Sequence, residues 1–136
     1  MTIKELSQLY YLNREIEDCQ KRLKELELQR GVGAVVIDDM PHSKGPAKSR
    51  VEQLAAEIAD LKAIIHAKQI ECIHERNRLE RYIASIPDSE IRMIFEFRFA
   101  DCLPWEQVAA CIGEGNTAER VRQVCSRYIR QQQEPA

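Results

Sequence analysis

The chain has 136 residues, of which 44% are hydrophobic, 31% charged and 6% aromatic, and its formal net charge is −2. That length fits one ordinary domain or two very small ones and excludes a large enzyme barrel or a doubly wound sheet. The near balance of charge excludes both a polybasic tail and a self-repelling disordered chain.

The five cysteines, Cys19, Cys72, Cys102, Cys111 and Cys125, are odd in number and nowhere form Cys-x-x-Cys. This argues against a disulfide framework and a zinc knuckle, and points to a reducing cytoplasm. The N-terminus opens directly into charged residues, and the longest apolar stretch, Gly33 to Ile37, is far too short to span a bilayer. No signal peptide and no membrane segment are expected. Glycines and prolines leave 1–30, 47–86, 88–103, 105–112 and 116–134 uninterrupted, the spacing of an all-α chain with long helices and few joints.

In chain order, Leu9, Leu12, Ile16, Cys19, Leu23 and Leu26 recur in alternating steps of three and four, the a/d seam of a coiled coil. Acidic and basic residues fill the gaps in equal number, six of each over 2–30, giving a solvated helix around one narrow stripe. Gly31 is the expected C-terminal stop. Residues 31–48, GVGAVVIDDMPHSKGPAK, read as a connecting loop in which Ala34–Ile37 is either strand-like or irregular. Ser49-x-x-Glu52 has the form of a capping box, and Val51, Leu54, Ile58, Leu61 and Ile65 resume the seam. The two helices, about 42 and 55 Å long, are expected to pair as an antiparallel hairpin over 1–86. After Ile65 the seam meets Lys68, Cys72 and Glu75 before recovering at Leu79, Tyr82 and Ile86, while Ile64, Ile70 and Ile73 add further apolar positions. Such drift marks a stutter or a second packing partner. Two helices alone bury little, so the hairpin is expected to recruit a second copy or lean on the C-terminal domain, and a homodimer or higher homo-oligomer is expected.

Pro87 ends the long helix and Asp88 or Ser89 caps the next, a short amphipathic helix carrying Ile91, Ile94, Phe95 and Phe99. Phe95, Phe97, Phe99 and Trp105 are read as a small core rather than a base-stacking platform, which needs extended chain or sheet around it. Pro104 opens a two-turn helix through Ile112 with Val108, Ala109 and Ile112 inward, and Gly113-Glu114-Gly115 stops it. Asn116 or Thr117 caps the last helix, with Glu119 spaced to complete an Asn-x-x-Glu box. On that helix Val121, Val124, Cys125 and Tyr128 share one side, and Gln123, Ser126, Arg127 and Arg130 face away. Arg120, Arg122, Arg127 and Arg130 stand against the single acid Glu119 between 117 and 131. A short helix, a glycine turn and an arginine-faced helix are the parts of a helix-turn-helix over 87–132, followed by a 133–136 tail.

Leu103-Pro104-Trp105-Glu106-Gln107-Val108-Ala109, then Ile112-Gly113 and Val121 to Arg127, resembles region 4 of sigma-70-type factors, and Ile91 to Phe99 resembles the bracing helix of that module. With the coiled-coil front half, the chain resembles phage and prophage transcriptional regulators of the RinA/ArpU-like group. It departs from the sigma pattern in the longer Gly113–Asn116 turn and in Glu119. The resemblance implies a fold of coiled-coil hairpin plus helix-turn-helix, and a sequence-specific DNA-binding regulator, not an enzyme.

The expected DNA-binding residues are Asn116, Thr117, Arg120, Arg122, Gln123, Ser126, Arg127 and Arg130, with arginines on phosphates and Arg120, Gln123 or Arg127 on base edges. Residues 86–136 nevertheless hold six arginines against eight acids, so one copy should bind duplex DNA weakly and two on one site more tightly. Glu119 is read as a capping acid before a reader of cytosine. The Glu71-x-x-His74 pair lacks the second such motif a di-metal helical site needs, and no nucleophile constellation or phosphate-cradling loop appears; neither metal nor cofactor is expected. Two other functions fit the same parts: a small terminase-like DNA-packaging subunit, and a sigma-like module that contacts RNA polymerase.

Overall fold

The structure, a computed structural model, describes residues 1–37 and 49–133. Every regular element among them is helical: α1 Ile3–Leu6, α2 Gln8–Ile37, α3 Arg50–Ala84, α4 Ser89–Phe95, α5 Trp105–Ile112 and α6 Ala118–Gln133, with a π-helical turn, Glu96–Ala100, continuing α4. The chain is all-α, as its punctuation predicts. None of these helices is long and apolar enough to cross a membrane.

Two compact units emerge, one of Met1–Asn13 with Glu71–Ala136 and one of Arg14–Ile70. This differs from the expected division into 1–86 and 87–132. The physical reason lies in the apolar positions at both ends of the long helical stretch. Leu6, Leu9, Leu79, Ile83 and Ile86 are buried in one cluster with Ile94, Phe95, Phe99, Val108, Val121, Cys125 and Ile129. A three/four periodicity fixes which side of a helix is apolar; it does not say which neighbour that side meets.

In the Arg14–Ile70 unit, Ile16 and Leu26 of α2 and Leu54, Ile58, Leu61 and Ile65 of α3 are buried, while Cys19, Leu23 and Val51 are half-buried. Each fully buried aliphatic side chain contributes about 1.5–3 kcal/mol, so this stripe outweighs the charged pairs that flank it. Those pairs are Lys62 with Glu27 at 3.9 Å, both half-exposed or more, and Lys68 with the half-exposed Glu15, and solvated pairs of this kind are worth little by comparison. Ser49 Oγ accepts from Glu52 N at 3.1 Å and starts α3 where the capping motif places it.

The helix does not stop at Gly31. It runs through Gly31 and Gly33 to Ile37, so both the loop beginning at 31 and the strand-like reading of Ala34–Ile37 are corrected. A glycine permits a left-handed stop without requiring one, and costs about 1 kcal/mol inside a helix. No proline follows until Pro41. The remainder of the expected loop, 38–48, and the tail, 134–136, lie outside the described residues.

The other unit opens on a signal absent from the sequence reading. Thr2 and Glu5 form a reciprocal capping box, Glu5 N to Thr2 Oγ1 at 3.2 Å and Thr2 N to Glu5 Oε2 at 3.1 Å, which starts α1 and brings Leu6 into the core. At the Pro87 joint, Asp88 is the cap, accepting from Ile91 N at 3.2 Å. Arg92 closes the joint by donating to Ile86 O at 2.7 Å and Ser89 Oγ at 2.8 Å. Phe95 is the centre of the core, edge-on to Phe99 at 5.2 Å and to Tyr128 at 5.5 Å. Phe95 and Phe99 are buried and Phe97 and Trp105 half-buried, so these aromatics are packing residues. Tyr82 lies 6.3 Å from Phe95, and its buried hydroxyl has no hydrogen-bond partner among the described residues; burial, with smaller contributions from Tyr128 and Cys125, raises its pKa.

Candidate nucleic-acid interface

Two short stretches of sequence set the position of α6. Pro104 caps α5 in extended backbone, and Val108 and Ala109 are buried where their spacing predicts. Gly113, at φ 143°, ends α5, and Gly115, at φ 83°, makes the turn. Both angles belong to the region that side chains avoid. Asn116 Nδ2 donates back to Gly113 O at 3.1 Å, tightening that turn. Thr117, rather than Asn116, caps α6, its Oγ1 accepting from Arg120 N at 3.1 Å.

The Asn-x-x-Glu box is therefore not formed. Glu119 sits in the first turn of α6, where the helix dipole favours a carboxylate, but its oxygens turn along the helix surface. One guanidinium nitrogen of Arg122 is shared between Glu119 Oε1 and Oε2 at 2.8 and 2.7 Å, and Gln123 Nε2 donates to Oε1 at 3.1 Å. The i,i+3 and i,i+4 spacings of these partners were legible in the sequence, since side chains three and four apart are neighbours on a helix.

Behind this surface Val121, Cys125 and Ile129 are buried, and Val124 and Tyr128 half-buried. Ile129 is an inward residue that the sequence reading did not single out. Burial pushes the Cys125 thiol up to about 12, with Arg98 acting weakly against the shift; the group is a neutral apolar filler.

Of the expected site residues, Arg122, Gln123, Ser126, Arg127 and Arg130 line one open groove along α6, with Glu119 at its end. Arg127 and Arg130 are exposed and carry no ion pair or hydrogen bond among the described residues. Asn116, Thr117 and Arg120 are not in that groove. Arg120 is held at the start of α6 by Asn116 Oδ1 at 2.6 Å and by Glu90 Oε1 of α4 at 3.0 Å. Glu90, thirty residues away, is a residue that sequence reasoning missed, and no local pattern points to it. Among the described residues no group of three or more His, Cys, Asp or Glu is gathered to hold a metal.

No protein-family model matches the chain, and neither the curated proteins nor the solved structures contain a significant match.

Proposed function

We propose that the chain is a sequence-specific, double-stranded-DNA-binding transcriptional regulator of phage or prophage type, working in the cytoplasm. In this reading α5 braces and α6 enters the major groove as the recognition helix of a sigma region 4-like helix-turn-helix. Helices α2 and α3 form an antiparallel coiled-coil hairpin that assembles a homodimer or a higher homo-oligomer.

The observation that carries the reading is the uncompensated cationic half of α6. Arg127 and Arg130 stand unpaired among the described residues on the exposed face of an amphipathic helix, beside Gln123 and Ser126, while Val121, Cys125 and Ile129 are buried behind them. Arg and Lys in this setting serve as phosphate anchors, and Gln is the geometric partner of adenine. Arg120 and Arg122 are already neutralised by Glu90 and Glu119, so α6 of a single copy presents few free cations. That supports assembly, as do Leu28, Ile64 and Ile70, which are exposed in the Arg14–Ile70 unit.

A salt titration of duplex binding tests the proposal, with Arg127→Ala and Arg120→Ala beside wild type. Arg127→Ala is expected to weaken binding and to lower the log–log salt slope by about 0.9, the loss of one phosphate contact. Arg120→Ala should change the slope less. Affinity insensitive to salt and to both arginines sinks the DNA reading. Capture of RNA polymerase without any DNA shift would replace it with the sigma-like interaction module, and a large ring in solution would favour the packaging role.

A further inference from the structure

In the unit that holds α6 there is a second feature that the DNA reading leaves unused: a cavity of about 300 Å³ lined by Tyr10, Tyr11, Arg98, Phe99, Cys102 and Pro104, among others. Its one charged lining residue, Arg98, is partly buried, unlike the exposed Arg127 and Arg130. Arg98 is half-buried, stacks its guanidinium carbon 4.5 Å over the Trp105 ring, and donates to Leu103 O at 3.0 Å. Among the described residues no carboxylate pairs with it, whereas Arg76, Arg78, Arg120 and Arg122 each have one. None of the lining residues is acidic, and the nearby Asp101 is engaged by Arg76 at 3.2 Å.

The backbone around Arg98 is also unusual. Arg98 lies within the π-helical turn, closed by Asp101 N to Glu96 O at 2.9 Å. Cys102, on the same wall, has φ 59°. A π turn and a left-handed non-glycine residue each cost stability, and such costs gather at binding sites. Across the cavity, Tyr10 and Tyr11 are 43% and 60% exposed and edge-on to one another at 5.3 Å. Packing within the chain does not account for two adjacent solvent-facing tyrosines, but aromatic rings at the mouth of a pocket supply apolar contact with a polar tip. Burial, the largest influence, raises the Cys102 thiol, so it is neutral and offers Arg98 no counter-charge.

We propose that this cavity binds a small aromatic monocarboxylate, its carboxylate received by Arg98 and its ring held against Tyr10, Tyr11 and Pro104. The volume lies at the small end for ligand sites and suits a single ring with a short acid arm. One lining cation matches one negative charge; a phosphate dianion would call for a second. A planar guanidinium presents a fork that fits a carboxylate.

Trp105 is the only tryptophan in the chain and already lies under Arg98, so its fluorescence reports the site without a label. The full chain is titrated, without DNA, with phenylacetate and with the uncharged phenylacetamide. Phenylacetate is expected to give a saturable change with Kd of roughly 10⁻⁴–10⁻³ M, in keeping with a ligand of this size. Phenylacetamide should bind at least about tenfold more weakly, and Arg98→Gln should lose a similar factor for phenylacetate. Tyr11→Ala, on the opposite wall and largely exposed, should weaken binding about threefold or more while leaving the thermal melt unchanged. The comparison of acid with amide on the wild-type chain stands even if Arg98→Gln fails to fold. No saturable response to phenylacetate into the millimolar range, or equal binding of acid and amide, overturns the proposal. The outcome is independent of whether α6 binds DNA.

Discussion

The substitution Glu119→Gln isolates the electrostatics of α6. Glu119 and Arg122 are both more than half exposed, at 58% and 55% of their side chains, and a solvated pair of this kind is worth about 0.2–1 kcal/mol. Folding stability should therefore barely change. DNA binding should change more. The stretch 117–131 holds four arginines and one acid, so removing the carboxylate turns Arg122 from a paired group into a free cation and adds one charge to a face that meets phosphates. One additional phosphate contact steepens the slope of log K against log salt by about 0.9. Carried to 0.1 M salt, where that term has its leverage, the gain is about eightfold in affinity, shrinking toward nothing near 1 M. Fluorescence anisotropy on a duplex of unrelated sequence, measured at several salt concentrations, reads both quantities. An unchanged slope with unchanged affinity would refute the reasoning, because Glu119 would then not be screening a phosphate-facing cation. A loss of affinity confined to one target sequence would make Glu119 a base reader instead.

Three further outcomes follow from the core and the helices. Tyr82→Phe removes a buried hydroxyl that has no partner among the described residues and should leave folding stability unchanged or raise it by about 0–1 kcal/mol in chemical denaturation; a clear loss would show that the hydroxyl is bonded. Glu96 is pushed above the usual carboxylate range, first by burial and then by Asp101 and Glu80, against the opposing Arg76. The native state thus holds this proton more tightly than the unfolded chain, and stability falls as pH rises from the ordinary carboxylate value through the raised native one. Glu96→Gln should accordingly be more stable than wild type at neutral pH, with the difference closing below the ordinary carboxylate range in thermal melts. Gly31→Ala meets nothing within 4 Å of the added carbon and lies within α2, so it should stabilise by about 0.5–1 kcal/mol in chemical denaturation. Destabilisation would mean that the helix stops there after all.

The candidate site was partly legible because its logic is local. Thr117, Val121 and Cys125 follow from capping and a period of 3.6, and so does the outward set of Gln123, Ser126, Arg127 and Arg130. The grip of Glu119 on Arg122 and Gln123 is also a matter of spacing, although the Asn116-x-x-Glu119 spacing equally predicts a cap. Arg120 is different. Its partner Glu90 comes from α4, and charge counting along the sequence treats Arg120 as a free cation when the folded chain has neutralised it.

By itself the sequence determined the helical class, the punctuation at Pro87, Pro104, Gly113 and Gly115, and most of the buried side of α2, α5 and α6, since backbone preference and periodicity act within a few residues. Only the tertiary structure decided where the apolar sides go. It put Leu6, Leu9, Leu79, Ile83 and Ile86 into the same core as Phe95 and Ile129, carried α2 past Gly31, and set Tyr10 and Tyr11 beside Arg98. These are contacts between residues tens of positions apart, chosen by shape and by the area removed from water. Neither quantity is written in the spacing of a single helix.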